Sequence, residues 1–304
     1  MSTAYCVSVV IPTYNRREFI GETIDSVLVQ TYRKIEVIVV DDGSTDGTAE
    51  YLKTRYHGES RFRYIWQKNS ERSIARNTGI LQSRGDYVAF LDSDDLWLPR
   101  KLEAQMGLMS ANPDLVMTVT WFSLINDKGD TLQTCNFPNV DEVASDRFAV
   151  FMVAQNRIGS PTPLIKRKAL FDAGLFCPAL SLGEDWDLWT RVSCSGKVAV
   201  IPEVHALHRV HQGNSERDLT PGDYINVVSK MKKTLQKPFW IRLNDEAARS
   251  YWRRLQDFPP RTWFSRGYAL INGLLVFGGF FYSNIFFSSW RQIFGYVMHQ
   301  KAAD

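Results

Sequence analysis

Short β-branched runs alternate with amphipathic segments from the start of this 304-residue chain. The pattern predicts strands at Val7–Ile11 and Ile35–Val40, and helices at Arg17–Val29 and Asp46–Arg55. Two neighbouring parallel strands need a crossover connection of a dozen or more residues, which is usually a helix. The alternation therefore predicts βαβ units, with helices packed against a mostly parallel sheet.

The same alternation continues to about residue 135. The predicted elements are a strand at Phe62–Trp66, a helix at Ser73–Gln82, a strand at Tyr87–Leu91, a helix from Pro99 towards Ser110, and strands at Leu115–Ile125 and Thr131–Cys135. Beyond them the periodicity is weaker, although no repeat, low-complexity stretch or flexible linker precedes about residue 220. We expect one continuous domain over this region.

Two of the predicted strands end abruptly in carboxylates. Asp92, Asp94 and Asp95 follow the fourth predicted strand, and Asp41 and Asp42 follow the second. Ligands of open α/β sheets bind at this carboxyl edge. Carboxylates there would repel a nucleotide diphosphate unless a divalent cation lay between, and oxygen ligands favour Mg²⁺ or Mn²⁺ over zinc. The alternative is that each cluster is a solvated turn, since Asp and Gly are favoured in turns for local reasons.

Composition indicates a globular chain with an uneven charge distribution. Hydrophobic residues make up 44% and charged residues 23%, so disorder is not the default. Residues 1–227 hold 24 Lys and Arg against 29 Asp and Glu, whereas residues 228–304 hold 12 against 4.

The four cysteines show no Cys-x-x-Cys spacing, which indicates neither a zinc site nor a disulfide framework. Met1–Tyr5 lacks the features of a secretory signal, so we expect the catalytic region to face the cytoplasm.

Two familiar nucleotide motifs are missing from the chain. No Gly-x-Gly-x-x-Gly follows a predicted strand, and no Gly-x-x-x-x-Gly-Lys-Ser/Thr loop occurs, which argues against dehydrogenases and P-loop ATPases. The first strand is instead followed by Pro12 and Tyr14. Pro ends the strand ladder and Tyr offers a flat face for a nucleobase, although a structural turn is the alternative.

Five segments, in this order, resemble family 2 of the glycosyltransferases. They are Val9–Asn15, Val40–Asp46, Ala75–Asn77, Leu91–Asp95 and Gly183–Leu188. The resemblance covers roughly residues 5–215 and implies the GT-A fold, a three-layer αβα sandwich with an acceptor-binding half. It also implies transfer of a sugar from a nucleotide sugar with inversion of the anomeric centre. The chain lacks the Gln-x-x-Arg-Trp motif of processive members, so we expect it to add one sugar.

The resemblance assigns nucleotide-binding roles to five residues. Pro12, Tyr14 and Asp41 would surround the base, with Asp41 accepting a hydrogen bond from a uracil-like imide, so a UDP-sugar is favoured. Asp92 would face the ribose, and Arg76 would lie near the nucleotide. The alternative for Arg76 is a residue on a helix surface.

The resemblance also assigns the metal, the base and the acceptor contacts. Asp94 would coordinate Mn²⁺ or Mg²⁺, with His211 completing the coordination or touching the diphosphate. Asp185 would be the general base that removes the acceptor's hydroxyl proton. Glu184 and Trp186 are candidates for acceptor binding. Carboxylates at a helix start also stabilise the helix dipole, and large aromatic side chains on a helix are more often core.

The carboxyl-terminal region is both basic and aromatic. Ten of its Lys and Arg residues precede or enter an aromatic-rich stretch, Trp263–Tyr296, a combination that suits an anionic membrane interface. The one candidate for a spanning segment, Tyr268–Phe287, is interrupted by glycine and asparagine. We therefore predict a peripheral attachment through 228–296, with a helical cap or a homo-oligomer contact as alternatives. Nucleic-acid binding is not expected.

These features predict two regions and one leading function. A GT-A catalytic domain is expected at 1–220, with a nucleotide-binding half at 1–115 and an acceptor-binding half at 116–220, followed by a helical region at 221–304. The function expected is metal-dependent, inverting transfer of one sugar to a saccharide or lipid-linked saccharide in surface polysaccharide or glycoconjugate synthesis. A catalytically silent nucleotide-sugar-binding module and a sugar-phosphate nucleotidyltransferase are the alternatives.

Overall fold

The structure is a computed structural model, and it describes residues 7–136, 148, 152, 156, 158–211, 226, 227 and 229–231. All of them belong to the first of two units into which the chain divides, Met1–Thr234. The basic and aromatic segment 228–296 lies almost entirely outside the described residues. Within the described residues, no helix is both long enough and apolar enough to cross a membrane.

Nine strands and six helices have both of their ends within the described residues. The strands are β1 Val7–Thr13, β2 Ile35–Asp41, β3 Phe62–Trp66, β4 Tyr87–Phe90, β5 Leu96–Trp97, β6 Leu115–Ile125, β7 Thr131–Cys135, β8 Leu164–Lys166 and β9 Lys197–Arg209. The helices are α1 Ile20–Leu28, α2 Thr48–Arg55, α3 Arg72–Gln82, α4 Lys101–Ala111, α5 Arg167–Ala173 and α6 Glu184–Ser193.

One sheet contains all of these strands, in the order β3-β2-β1-β4-β8-β6-β9-β5, with β7 paired to β6. The strands β3, β2, β1 and β4 are parallel, as are β6 and β9. The short strand β8 runs antiparallel to both β4 and β6 and so joins the two parallel groups. The predicted α/β class with a mostly parallel sheet is confirmed.

The two central strands are buried along their whole length. Every residue of β1 and of β2 is buried, which is the pattern of parallel strands covered by helices on both faces. The odd-numbered apolar residues of both strands pack in the main core with α1, α2 and α4, whereas Ile38 and Val40 pack with Ala75 of α3. Alternate side chains of a strand point to opposite faces, so the helices form two outer layers around the sheet.

Helix α1 begins three residues later than the sequence pattern predicts. The carbonyl of Arg16 accepts hydrogen bonds from the backbone N–H groups of Phe19 and Ile20, at 3.1 Å and 3.0 Å, and forms a turn before the helix. This turn leaves Arg16 in the loop after β1, at the carboxyl edge of the sheet. The bounds predicted for β3, β6 and β7 agree with the structure.

Helix α3 approaches β1 closely at a glycine. A Cβ atom at Gly79 would lie 2.3 Å from Val10 Cγ1, far inside van der Waals contact. Gly79 thus permits the close packing that brings the first turn of α3 to the carboxyl edge of β1 and β2.

We predict that Gly79→Ala destabilises the protein by about 1–3 kcal/mol, since overpacking forces neighbouring atoms to move. The matched control is Gly107→Ala in α4, where the added methyl group meets nothing within 4 Å. That change should leave stability equal or raise it by up to about 1 kcal/mol through helix propensity. Urea unfolding of both variants provides the measurement, and equal midpoints would contradict the close approach.

Candidate active site

A polar cavity of about 390 Å³ lies at the carboxyl edge of β1, β2 and β4. Its lining residues are Pro12, Thr13, Tyr14, Arg16, Asp42, Asn69, Glu71, Arg72, Ala75, Arg76, Asp92, Ser93, Asp94 and His208. We call it the donor cavity, after the nucleotide-sugar donor that the family resemblance predicts. The cavity contains carboxylates from both acidic clusters, so these clusters meet at one edge, as their positions after two parallel strands predict.

Asp41 is not among the residues that line the donor cavity. Its side chain is fully buried, and its carboxylate accepts hydrogen bonds from the Tyr64 hydroxyl at 2.7 Å and from the Ser44 backbone N–H at 2.8 Å. Each of its two oxygens thus accepts one hydrogen bond. A direct contact between Asp41 and a base stays a prediction, and the geometry gives Asp41 the task of holding the loop after β2.

Asp42, the next residue, lines the donor cavity. Its Oδ1 accepts hydrogen bonds from Gln67 Nε2 at 2.7 Å and from the Ser70 backbone N–H at 2.9 Å. No partner is described for its Oδ2 among the residues that the structure covers. Pro12 and Tyr14 line the same cavity, and Tyr14 is 49% exposed. The cavity therefore offers an open aromatic ring and one carboxylate oxygen with spare capacity.

Arg76 reaches from α3 into the centre of the site and contacts two carboxylates. Its guanidinium donates to Asp92 Oδ1 and to Glu184 Oε1, both at 2.7 Å, although the side chain is only 3% exposed. Burial opposes ionisation of Asp92, but the charge of Arg76 outweighs it and holds the pKa of Asp92 below its usual range. Arg76 is thus a buried cation with two anionic partners, and not the surface residue of the alternative prediction.

Glu184 is the first residue of α6 and is 3% exposed. Besides Arg76, its Oε1 lies 3.9 Å from Arg72 Nη1. Its Oε2 and the Nε of Arg76 are buried without a hydrogen-bond partner in the described part of the chain. The pair is therefore held by charge and one short hydrogen bond, and the predicted contact of Glu184 with an acceptor stays a prediction.

Asp185 follows directly and is partly exposed. Asn156 Nδ2 lies 3.4 Å and 3.5 Å from its two oxygens, and the Trp186 backbone N–H donates to Oδ1 at 2.6 Å. Burial raises the pKa of the Asp185 carboxyl to about 7, and the neighbouring charge of Glu184 adds to this shift. A carboxylate with a pKa near neutrality has the proton affinity that suits a general base.

Trp186 belongs to the packed core beneath this carboxylate. It is 1% exposed, and its indole N–H donates to the Met152 carbonyl. Trp189, one turn later, is fully buried against Phe90 and Phe176. The stacking of an acceptor sugar on Trp186 stays a prediction, and the structure gives this ring no open face.

The Asp94 carboxylate lies between the guanidinium of Arg16 and the imidazole of His211. Its Oδ2 lies 3.2 Å from Arg16 Nε and 3.1 Å from His211 Nε2, and its backbone carbonyl accepts from Arg209 Nε at 3.0 Å. The His211 ring in turn stacks on Phe19 with ring centroids 4.7 Å apart. The structure thus brings together the two residues predicted to hold the metal.

These two residues fit a magnesium or manganese ion only in part. No group of three or more His, Cys, Asp or Glu side chains that could hold a metal occurs among the described residues. Mg²⁺ is often bound through one or two protein ligands, with substrate phosphates and water supplying the others. In such an arrangement Asp94 and His211 would supply two protein ligands, and the nucleotide and water would have to supply the others.

Asp95 is fully buried and supports the acidic loop. It accepts a hydrogen bond from the Arg209 backbone N–H at 2.9 Å and lies 3.0 Å from His208 Nδ1. Burial raises the pKa of Asp95 to about 7, although His208 opposes the shift. These contacts fix Asp95 within the acidic loop. His208 lies in β9 and also lines the donor cavity.

The loop before α3 has an unusual backbone. Glu71 has φ 76° and ψ 154°, a region that is essentially restricted to glycine and costs on the order of 1–3 kcal/mol. Its carbonyl nevertheless accepts the backbone N–H groups of Ile74 and Ala75 and so begins the helix. Such strain concentrates at ligand sites, and Glu71 lines the donor cavity.

Sequence reasoning missed several cavity residues. They are Thr13, Arg16, Asp42, Asn69, Glu71, Arg72, Ala75, Ser93 and His208. Asp42 could have been found, because it stands beside Asp41 in the quoted cluster. Asn69, Glu71 and Arg72 carry no local signal, since they reach the cavity through the path of the loop between β3 and α3.

We predict that Glu184→Gln destabilises the protein by about 1–3 kcal/mol, because it removes a charged partner from the buried Arg76 guanidinium. Asp172→Asn in α5 makes the same chemical change at an exposed ion pair, in which the Lys168 and Asp172 side chains are 82% and 51% exposed. This control should change stability little, because exposed pairs contribute little. Thermal unfolding at neutral pH tests both, and equal effects would contradict a structural role for the Arg76 bridge.

Comparison with known proteins identifies the family of this chain. Residues 8–165 match the family model for glycosyl transferase family 2. An uncharacterized glycosyltransferase of Rickettsia felis is 31% identical over 77% of this chain and 38% of its own, and one of Rickettsia bellii is 34% identical over 73% and 32%. TuaG of Bacillus subtilis, whose name assigns it to teichuronic acid biosynthesis, is 40% identical over 41% of this chain and 50% of its own. The chain spans about a third of the length of the first curated relatives that it matches.

Solved structures share the fold. Residues 1–349 of Staphylococcus aureus TarS, in complex with UDP-GlcNAc, superpose with a TM-score of 0.68 over 86% of this chain and 75% of that one, at 22% identity. The complex of the same protein with UDP gives a TM-score of 0.64 at 20% identity, over 86% and 74%. The predicted GT-A fold is thereby confirmed. Because the family model covers more than half of the sequence, the chain belongs to glycosyl transferase family 2.

Proposed function

We propose that this protein is a metal-dependent, inverting glycosyltransferase that moves one sugar from a UDP-sugar to a hydroxyl group of a saccharide or lipid-linked saccharide. The observation that carries the proposal is a continuous network across the site. Arg76 joins Asp92 in the donor cavity to Glu184, which stands next to Asp185 in the chain. A nucleotide site and a carboxylate with raised proton affinity are thus held by one buried cation.

The nucleotide would occupy the donor cavity with its base against Tyr14. An exposed tyrosine ring suits stacking on a flat base. Asp42 Oδ2, which has no hydrogen-bond partner among the described residues, would accept the N3–H of uracil, and Asp92 would face the ribose. The TarS complexes, which hold UDP and UDP-GlcNAc, support a uridine nucleotide in a fold of this shape.

The transfer step needs a group that takes the acceptor's proton. As the hydroxyl oxygen forms its bond to the anomeric carbon, Asp185 removes the hydroxyl proton, and the bond from that carbon to the diphosphate oxygen breaks with its electrons on UDP. Attack opposite to the leaving group inverts the anomeric centre. General-base assistance of this kind contributes roughly 10² to 10⁴ in rate.

The departing diphosphate needs neutralising charge. A divalent cation, held by Asp94 and His211 when bound, would act as a Lewis acid for the leaving group. Arg16 and Arg72 also line the donor cavity and supply positive charge at the same edge of the sheet. Asp92 is kept ionised by Arg76 and so remains a hydrogen-bond acceptor for a sugar hydroxyl.

The acceptor and the place of action are proposed from sequence. The basic and aromatic segment 228–296 favours a peripheral position at the cytoplasmic face of a membrane, where a lipid-linked saccharide is available. The resemblance to TuaG, which is named for teichuronic acid biosynthesis, supports a role in surface polysaccharide or glycoconjugate synthesis.

We predict that Asp185→Asn leaves UDP affinity nearly unchanged but lowers transfer by about 10² to 10⁴, because the amide cannot take a proton. In the wild type, protonation below the raised pKa of about 7 disables the base, so the rate should rise as pH increases through 7. Calorimetric titration with UDP and a UDP-release assay with UDP-sugars over pH 5–9 measure the two effects.

Asp94→Ala is the contrasting variant. It should abolish the Mn²⁺-dependent part of UDP binding, whereas Asp185→Asn should retain it. If both variants lost nucleotide binding equally while remaining folded, the separate roles assigned to these residues would be wrong.

We predict further that Asp42→Asn lowers UDP affinity by about tenfold or more, as expected for loss of a hydrogen bond to a charged acceptor. Cytosine has no N3–H to donate, so CDP affinity should not fall, and the preference for UDP over CDP should shrink. Calorimetry with both nucleotides gives this ratio. Asp46→Asn makes the same change in the same loop but outside the donor cavity, and it should leave the ratio unchanged. An unaltered ratio in Asp42→Asn would contradict base reading by this residue.

A further inference from the structure

Arg16 occupies a carboxylate that the proposed metal site needs. Its Nε lies 3.2 Å from Asp94 Oδ2, the same oxygen that His211 Nε2 approaches to 3.1 Å. A guanidinium and a divalent cation bound to the same oxygen repel each other, so each weakens the binding of the other to Asp94 Oδ2. In the nucleotide-free protein, Arg16 therefore competes with the metal for Asp94.

The main chain on both sides of this ion pair is fixed. The carbonyl of Arg16 accepts two N–H groups of the turn before α1, and the Asn15 backbone N–H donates to Ser44 Oγ at 2.9 Å. On the other side, the Asp94 carbonyl accepts from Arg209 Nε at 3.0 Å. A change of partner at this position can thus occur by rotation of the Arg16 side chain alone.

The Arg16 side chain has space on two sides. It lines the donor cavity, and it also lines a second cavity of about 430 Å³ that includes Arg17, Asp46 and His211. The side chain is 24% exposed and that of Asp94 is 14% exposed. Partly exposed ion pairs are weak, so a diphosphate in the donor cavity offers the guanidinium an alternative partner with more negative charge.

We propose that Arg16 is a positioning residue that couples nucleotide binding to metal binding. In the nucleotide-free protein it neutralises Asp94 and disfavours the divalent cation. When a nucleotide diphosphate enters, Arg16 transfers to the phosphate oxygens and releases Asp94 Oδ2 for the metal. This inference rests on the proposed function, because it needs a diphosphate in the donor cavity.

The experiment measures Mn²⁺ binding directly, by electron paramagnetic resonance of the free ion, with and without saturating UDP. Removal of the competing cation in Arg16→Ala should raise Mn²⁺ affinity of the UDP-free protein on the order of fivefold. The gain in Mn²⁺ affinity caused by UDP should become smaller in the same variant. By linkage, the gain in UDP affinity caused by Mn²⁺ should become smaller by the same factor. Arg16→Lys, which keeps a cation, should bind Mn²⁺ as weakly as the wild type.

Arg17→Ala is the matched control, because it removes the neighbouring arginine from the same turn without a described contact to Asp94. It should reproduce the wild-type Mn²⁺ affinity and coupling. Equal or weaker Mn²⁺ binding by UDP-free Arg16→Ala, including no detectable binding, overturns the inference. If the wild type bound neither UDP nor Mn²⁺ in any combination, the proposed function itself would fail. If the wild type bound both and Arg16→Ala had the same Mn²⁺ affinity as the wild type, only the inference about Arg16 would fail.

Discussion

The geometry of the site depends on the ion pairs that the buried guanidinium of Arg76 forms with Asp92 and Glu184. Arg76 extends from α3, in the first part of the chain, to Glu184 at the start of α6, more than a hundred residues later. Removing one partner of a buried ion pair leaves an uncompensated charge, so the three side chains must be placed together. The position of α6, and with it of Asp185, is therefore fixed relative to Asp92 and the donor cavity. Gly79 makes this reach possible, because it lets α3 lie close to β1.

Arg209 plays a comparable part at the acidic loop. Its guanidinium contacts the Asp94 carbonyl, the Asp127 carbonyl and the Glu22 carboxylate, while its backbone N–H contacts Asp95. The last residue of β9 thus joins the end of β4, the turn after β6 and helix α1. Asp92, Asp94 and Asp95 repel one another and would move apart in an unconstrained loop. The contacts of Arg209 hold the Asp94 backbone in place and leave the Asp94 carboxylate unneutralised by Arg209.

The strands of the first half could be predicted from sequence, since buried parallel strands have nearly continuous apolar runs. Strand β8 could not be predicted, because it has only three residues, too few for a periodic pattern. Its partners β4 and β6 are also distant from it in the sequence. In the site, Asp92 and Asp94 were predicted from motifs and line the donor cavity, whereas the cavity residue Asp42 was not predicted. Successive residues of an extended segment point to opposite sides, so the neighbouring carboxylates of Asp41 and Asp42 lie in different surroundings, and a sequence motif does not tell which of the two lines the cavity. Ion pairs such as Arg76 with Glu184 depend on tertiary contacts alone.

The balance of charge in the site has a consequence for Asp185, the proposed base. Asp92, Glu184 and Asp185 share one buried cation, Arg76, so the cluster is negative and the pKa of Asp185 is raised by burial and by Glu184. Under the proposed function, a donor diphosphate would add further negative charge nearby, and by the same Coulomb effect it would raise the pKa of Asp185 further. Too large a rise would leave Asp185 protonated at neutral pH. Cations beside the diphosphate would limit that rise, so the charge that neutralises the leaving group would also keep Asp185 able to accept a proton.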